Sequence, residues 1–247
     1  MKVMSFNVLC GGKGKNWWTK RKTLVRDVIK KYEPDTFGLQ EAHYRWMNYL
    51  CKELKDTYDY VGVGRDNGKR QGEFSPVFYK KDKYEVIETG NFWLSETPEK
   101  PGKGWDAACV RICSYAVLKE KATGKKIAHF NTHLDHVGEV AQHKGAELIL
   151  ENLKKYDNIK TVLMGDFNVT PDSEIYKIFI DGGFCDARTV ASESDDINSF
   201  HWFGGSSKMI DFVFVKNIKN VSKVKTATDR PDGRYPSDHY PVVADFE

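Results

Sequence analysis

Several short runs in this chain set carboxylates, amides and imidazoles at the ends of apolar stretches, and the densest is TVLMGDFNVTPDS at residues 161–173. Val162, Leu163 and Met164 read as a buried strand. Gly165 is expected to permit a turn that lets Asp166 and Asn168 point into one space. Asp166 offers a base or a metal-ligating oxygen. Asn168 offers a neutral amide that can donate to a phosphate oxygen while accepting from a water. That pairing suits hydrolysis of a phosphate ester. The competing reading is an Asx-turn whose side chains bond only their own backbone.

The same kinds of group recur at other strand ends. Residues 2–9, KVMSFNVL, alternate with period two, and Asn7 interrupts the pattern where a bulge or a polar cleft would place it. Glu41 follows the short strand 36–40 and precedes an amphipathic segment at 43–54, where it can serve chemistry or simply favour the helix dipole. Asn131-Thr132-His133-Leu134-Asp135-His136 gathers two imidazoles and a carboxylate after a strand at 126–132. A zinc site is conceivable there, but the remaining candidates are carboxylates and amides, which suit a hard cation. Asp211 sits in an apolar strand at 208–215 and requires a partner. His239, in the turn-rich YPSDHYPV run beside Asp238, is the candidate. The adjacent Ser-Asp-His lacks a nucleophile elbow and is set aside as a hydrolase triad.

The elements that must position these groups alternate between strands and helices. Helices are expected at 20–32, 43–54, 140–155 and 174–180, and strands also at 58–63, 73–79, 84–89, 111–118 and 242–246. Residues 90–111, dense in Gly, Pro and Trp, read as a long functional connection. Within and near it, Arg65, Trp105, Asp106 and Arg111 are the candidate ligand-facing groups, with Trp93 read as a plug. Arg111 either grips a phosphate in bidentate fashion or forms a structural ion pair. Glu73 opens its strand on the side where the other polar ends are expected.

The 247 residues are read as one domain, 1–247, without linker or repeat. With 38 basic and 35 acidic side chains the net charge is +3, which excludes a strongly basic nucleic-acid coat. Five cysteines without a close pair indicate neither a disulfide framework nor a thiolate zinc site, and they read as reduced core thiols of a cytoplasmic protein. No apolar run reaches the length of a membrane span or a secretion signal.

Asn7, Gln40-Glu41, Asn131-Thr132-His133, Gly165-Asp166-Phe167-Asn168, Asp211 and Ser237-Asp238-His239 occur in the order seen in the endonuclease/exonuclease/phosphatase superfamily. The chain resembles that superfamily over essentially its whole length, and its FWLSETP and GWDAA segments resemble an uncharacterised bacterial branch near the nocturnin-like group. The resemblance implies a four-layer α/β/β/α sandwich of two mostly antiparallel sheets flanked by helices. It also implies a divalent-metal phosphoesterase with its site at one sandwich edge. Carried over residue by residue, Glu41 resembles the principal Mg²⁺ ligand, with Asn7 and Asp238 as direct or water-mediated ligands; Mn²⁺ is the alternative ion. Asp166 resembles the group that orients or deprotonates the attacking water, and Asn168 a phosphate donor. His239, held by Asp211, and His133 resemble the two phosphate-facing histidines, with Glu73 resembling the glutamate that orients the latter.

The expected substrate is a phosphoester: a nucleotide, single-stranded nucleic acid, sugar phosphate or lipid headgroup, handled by a monomer in a closed pocket. The alternatives are a nuclease acting on duplex nucleic acid, and a ligand-binding module that has lost catalysis.

Overall fold

A computed structural model describes all residues, Met1–Glu247. In chain order the elements are β1 (Lys2–Asn7), α1 (Trp18–Tyr32), β2 (Thr36–Gln40), β3 (Ala42–His43), α2 (Tyr44–Leu54), β4 (Tyr58–Val61), β5 (Glu73–Phe74), β6 (Val77–Lys80), β7 (Tyr84–Trp93) and β8 (Ile112–Glu120). There follow β9 (Lys126–His133), α3 (Glu139–Leu153), β10 (Lys160–Asp166), α4 (Glu174–Asp181), β11 (Cys185–Asp186), α5 (Ala187–Val190), β12 (Ala191–Ser194), β13 (Asp211–Lys216), β14 (Val221–Thr226) and β15 (Val242–Phe246). One sheet runs β12-β14-β15-β1-β2-β6-β4, the other β11-β13-β10-β9-β8-β7, and β3 pairs with β5 in a small ribbon. Most neighbours are antiparallel, as expected. No helix is long and apolar enough to cross a membrane.

Each sheet contains one parallel pair built by a helical crossover: β1-α1-β2 in the first and β9-α3-β10 in the second. Parallel strands end on the same side. The register therefore puts Asn7 opposite Gln40 and His133 opposite Asp166, while antiparallel β13 brings Asp211 opposite Asp166. Carboxyl ends of parallel strands beside a crossover are where such sheets bind ligands.

Three apolar layers hold the four tiers together. Val3, Val162, Met164, Val213 and Val242 pack between the two sheets. Phe6, Val28, Phe37, Trp46 and Leu50 seat α1 and α2 on the first sheet, and Phe130, Ile149, Phe167 and Phe179 seat α3 and α4 on the second. Both faces of β1 are thus covered. The seam between the sheets is also bonded. Asn131 donates to the carbonyls of Leu39 and Pro76 at 2.8 Å each, and accepts from Gln40 Nε2 at 2.7 Å. Gly38 makes room for it: a Cβ there would lie 2.5 Å from the Asn131 side chain.

Some expected boundaries move. β7 continues through Trp93, so residues 90–93 are strand and only 94–111 connect, because each of them finds a cross-strand partner on β8. The expected strand 73–79 splits at Ser75-Pro76, where proline has no N–H for a ladder. Of the cysteines, only Cys113 is fully buried, and Cys185 is exposed.

Candidate active site

At the seam, the side chain of Asn7 bridges the sheets. Its Nδ2 donates to Glu41 Oε1 at 3.0 Å and, across the seam, to Asp166 Oδ2 at 2.9 Å, while its Oδ1 accepts from Leu9 N–H. Glu41 sits between β2 and β3 in the left-handed region (φ 59°), a conformation a glutamate adopts at a cost. It does not serve the dipole of α2, whose N-terminus is capped by His43. Burial acts to raise the Glu41 pKa, but the donors from Cys10 N–H and Asn7 outweigh it and hold the group below its ordinary value.

Asp166 is the last residue of β10. The expected turn at Gly165 is instead strand: a Cβ there would meet the Thr132 carbonyl at 2.2 Å, so the glycine permits close strand approach. The turn comes at Asn168 (φ 53°), whose N–H donates to Asp166 Oδ1 at 3.0 Å. The Asx-turn forms through Oδ1, while Oδ2 is turned toward Asn7, His133 and His239. The Asn168 amide donates to the Leu134 carbonyl and also lines the cavity. Burial first, then Asp211, push the Asp166 carboxyl up to about 7 against the opposing pull of His239.

Asp211 and His239 form the expected pair, Nδ1 to Oδ2 at 2.7 Å. Ser199 Oγ accepts from the Ile210 and Asp211 N–H groups, and Phe200 makes short antiparallel bridges to Lys208 and His239, so this connection fixes both partners. Burial lowers the His239 pKa, but Asp211, Asp166 and Asp238 around it raise it to about 10, leaving the ring cationic at neutral pH. His133 is the opposite case. Burial and the cations Arg111 and Arg65 keep it neutral, its Nε2 lies 3.5 Å from Asp166 Oδ2, and its Nδ1 has no partner.

A cavity of about 340 Å³ opens above these groups. Glu73 does not orient His133: its carboxylate pairs with Arg65 NH1 at 2.5 Å, on the wall of the cavity. Arg111 forms the structural ion pair that was one of the two roles foreseen for it, and it also lines the cavity. Its Nε pairs with buried Asp135 at 3.2 Å and its NH2 meets His136 Nδ1 at 2.9 Å, yet the guanidinium still lines the cavity. Asp135 also accepts the backbone N–H groups of Ala108, Cys109, Val137 and Gly138, tying the 94–111 connection to the start of α3. Trp105 and Asp106 are not in the cavity wall. Asp106 receives the N–H groups of Val140 and Ala141 in the first turn of α3, and Trp105 is held through its backbone N–H by Glu96. Sequence reading noted Asp135 and His136 only as members of the two-histidine cluster, and it missed Phe200, Trp202 and Lys208, which follow no local pattern.

The donor set fits a divalent metal. Four carboxylates, Glu41, Glu73, Asp166 and Asp238, line one cavity floor. Burial raises the pKa of Asp238 and of Glu73, and the nearby Glu41 raises both further against the pull of His239 on the first and Arg65 on the second. Arg65 and Arg111 are already paired with Glu73 and Asp135, and the His239 ring with Asp211, so the carboxylates outnumber the free positive charge, and oxygen ligands of this kind suit a hard cation. Glu41 and Asp238 are the groups to hold it, with Cys10 Sγ and Glu73 close by. Asn7 is arranged as a bridge between carboxylates, with its own oxygen occupied by Leu9. The Asp166-Asp211-His239 cluster is less suited, because the imidazole Nδ1 is already bonded to Asp211.

The family model described as Endonuclease/Exonuclease/phosphatase family matches residues 4–239. A structure of an endonuclease/exonuclease/phosphatase from Bacteroides vulgatus superposes with a TM-score of 0.94 at 38% identity, covering 100% of this chain and 98% of that one. A mannosyl-6-phosphatase from Bacteroides thetaiotaomicron gives 0.94 at 34% identity, covering 100% and 99%. Nocturnin from Xenopus laevis is 24% identical over 291 residues, covering 99% of this chain and 72% of that protein. The chain spans as little as 38% of the length of other curated relatives.

Proposed function

The chain belongs to the endonuclease/exonuclease/phosphatase family, whose members hydrolyse phosphoester bonds, and we propose that residues 1–247 form a Mg²⁺-dependent phosphomonoesterase acting on a small sugar phosphate. The observation that carries this reading is the cavity: about 340 Å³, with the Asp166 and His239 side chains at its floor and the guanidinium groups of Arg65 and Arg111 in its walls. Such a volume accepts a phosphoryl group and one ring. The similarity to a mannosyl-6-phosphatase supports the same class.

Glu41 and Asp238 would hold Mg²⁺ or Mn²⁺, which would supply charge neutralisation to the phosphate oxygens. The chain's own residues do the rest. Arg111 and Arg65 hold the phosphate, Arg111 being fixed by Asp135. Asp166, with its raised pKa, removes a proton from the water that attacks phosphorus in line with the ester oxygen. His239, kept cationic and oriented by Asp211, donates a hydrogen bond to a phosphoryl oxygen, while the departing ester oxygen takes a proton from solvent to leave as the alcohol and Asp166 releases its own proton to solvent.

Phosphate release from mannose 6-phosphate by the Mg²⁺-loaded protein, beside Asp166→Asn and an EDTA-treated sample, tests the reading. Turnover is expected to fall by about 10²–10⁴ in the variant. Efficient nicking of supercoiled duplex with no release from sugar phosphates would establish the nuclease alternative, and binding without turnover of any phosphoester would establish a non-catalytic module.

A further inference from the structure

The segment after Ser199 presents a tryptophan in an arrangement that folding alone does not reward. Trp202 is 57% exposed, yet it lines the catalytic cavity. It and Phe203 both lie in the left-handed region (φ 42° and 55°), which costs a bulky residue on the order of 1–3 kcal/mol. The backbone is pinned there by His201 and Trp202 N–H groups, which both donate to the Asp238 carbonyl at 2.9 and 3.2 Å. The His201 ring is clamped between Tyr235 and Tyr240, with centroids 4.5 and 4.0 Å away. Strain anchored on the residue next to His239 and spent on an exposed aromatic face points to a ligand.

The aromatic groups step outward from the chemistry. Phe200 lies 4.9 Å from the His239 ring, and Trp202 lies 6.1 Å beyond Phe200, between ring centroids. Lys208 is paired through its backbone with Phe200, lines the same cavity and forms no ion pair. One apolar face, with polar groups on the remaining walls, matches a ring that is itself two-sided: apolar C–H groups on one face, hydroxyls around the edge. A nucleobase, apolar on both faces, is better served by a two-sided aromatic slot.

We infer that Trp202, backed by Phe200 and flanked by Lys208, is the leaving-group platform, on which the C–H face of a pyranose lies while its phosphate occupies the catalytic floor and Lys208 donates to a ring hydroxyl. This rests on the phosphomonoesterase reading and adds the residues that set its specificity. Trp202 is a specificity-determining residue, not one that acts on the reacting bond.

The test compares mannose 6-phosphate with glycerol 1-phosphate, a monoester without a ring, and with 5′-AMP, using Mg²⁺-loaded wild type, Trp202→Ala and Trp202→Phe. In Trp202→Ala the ratio of kcat/KM for mannose 6-phosphate over glycerol 1-phosphate should fall by about tenfold or more, mainly through KM, while Trp202→Phe keeps most of it. Equal losses on both substrates would assign Trp202 to folding, and a selective loss on 5′-AMP would assign the platform to a base; either overturns the proposal. Calorimetric binding of mannose 6-phosphate to Asp166→Asn, with and without Trp202→Ala, separates the two readings. Trp202-dependent binding without wild-type turnover overturns the reaction and keeps the platform, whereas absence of binding overturns the platform itself.

Discussion

Replacing Asp135 with asparagine tests how Arg111, the arginine proposed to grip the phosphate, is held. Asp135 is 1% exposed, and its two oxygens divide five donors: Oδ1 takes Ala108, Val137 and Gly138 N–H, and Oδ2 takes Cys109 N–H and Arg111 Nε. An asparagine keeps one oxygen for the three donors but turns an NH₂ toward the other two. Cys109 N–H then faces a donor, and Arg111, 4% exposed, loses its only carboxylate. Breaking a buried ion pair from one side costs about 3–5 kcal/mol, a large fraction of a typical stability of about 5–15 kcal/mol. Denaturant unfolding at neutral pH should show a lower midpoint with an unchanged slope. The pH dependence has a defined sign. Burial opposes the Asp135 charge, but the four backbone donors outweigh it and hold the carboxyl well below the usual carboxylate range. A depressed carboxyl stabilises the fold above its unfolded value of about 3.9, and that contribution is lost as pH falls through the folded value. The stability gap between wild type and Asp135→Asn should stay constant from about pH 5 to about pH 8 and close below about pH 4. A variant with wild-type midpoint, or a gap that persists in acid, would refute this account of Arg111.

Glu41→Gln keeps volume but removes the charge expected to hold the metal, so calorimetry should show Mg²⁺ binding weakened by about tenfold or more with the folded far-UV spectrum intact; equal affinity would move the metal elsewhere. Asp211→Asn should lower the His239 pKa from about 10 toward or below its ordinary value near 6.5, read from imidazole NMR in metal-free protein. A ring that still resists titration through pH 8 would show that Asp166 and Asp238, not Asp211, hold its charge.

The candidate site groups were legible in the sequence because they place polar residues at strand ends and in turns beside apolar runs, where a buried polar residue demands a reason. Asn7, Glu41, Asp166, Asp211 and His239 are of this kind, and the structure brings all five to one rim. The rest of the cavity wall was legible only in part: Arg65, Glu73 and Arg111 line it, whereas Trp105 and Asp106 do not. Trp105 and Asp106 sit in a Gly/Pro/Trp-rich run that looks like a ligand loop, but Asp106 is used to satisfy the first turn of α3. Trp202 and Lys208 lie instead in a polar stretch with no periodicity, placed by backbone pairing to His239 and Asp238 that only the folded chain creates. Asp135 stood in the noted histidine cluster, yet its five donors come from two separate connections, and no spacing rule links them. Glu73 was assigned to His133, whereas Arg65, eight residues earlier, reaches it first.

The Asn7–Asp166 hydrogen bond makes the reacting geometry a gauge of the distance between two sheets. Asn7 belongs to one and Asp166 to the other, and the layer that spaces them is apolar, with Val3, Val162 and Met164 among its members. A methyl group gained or lost in that layer tilts one sheet against the other without touching a polar residue. Close-packed interiors transmit such changes rather than absorb them. Substitutions remote from the cavity are therefore expected to shift the Asn7–Asp166 contact while leaving the chain folded.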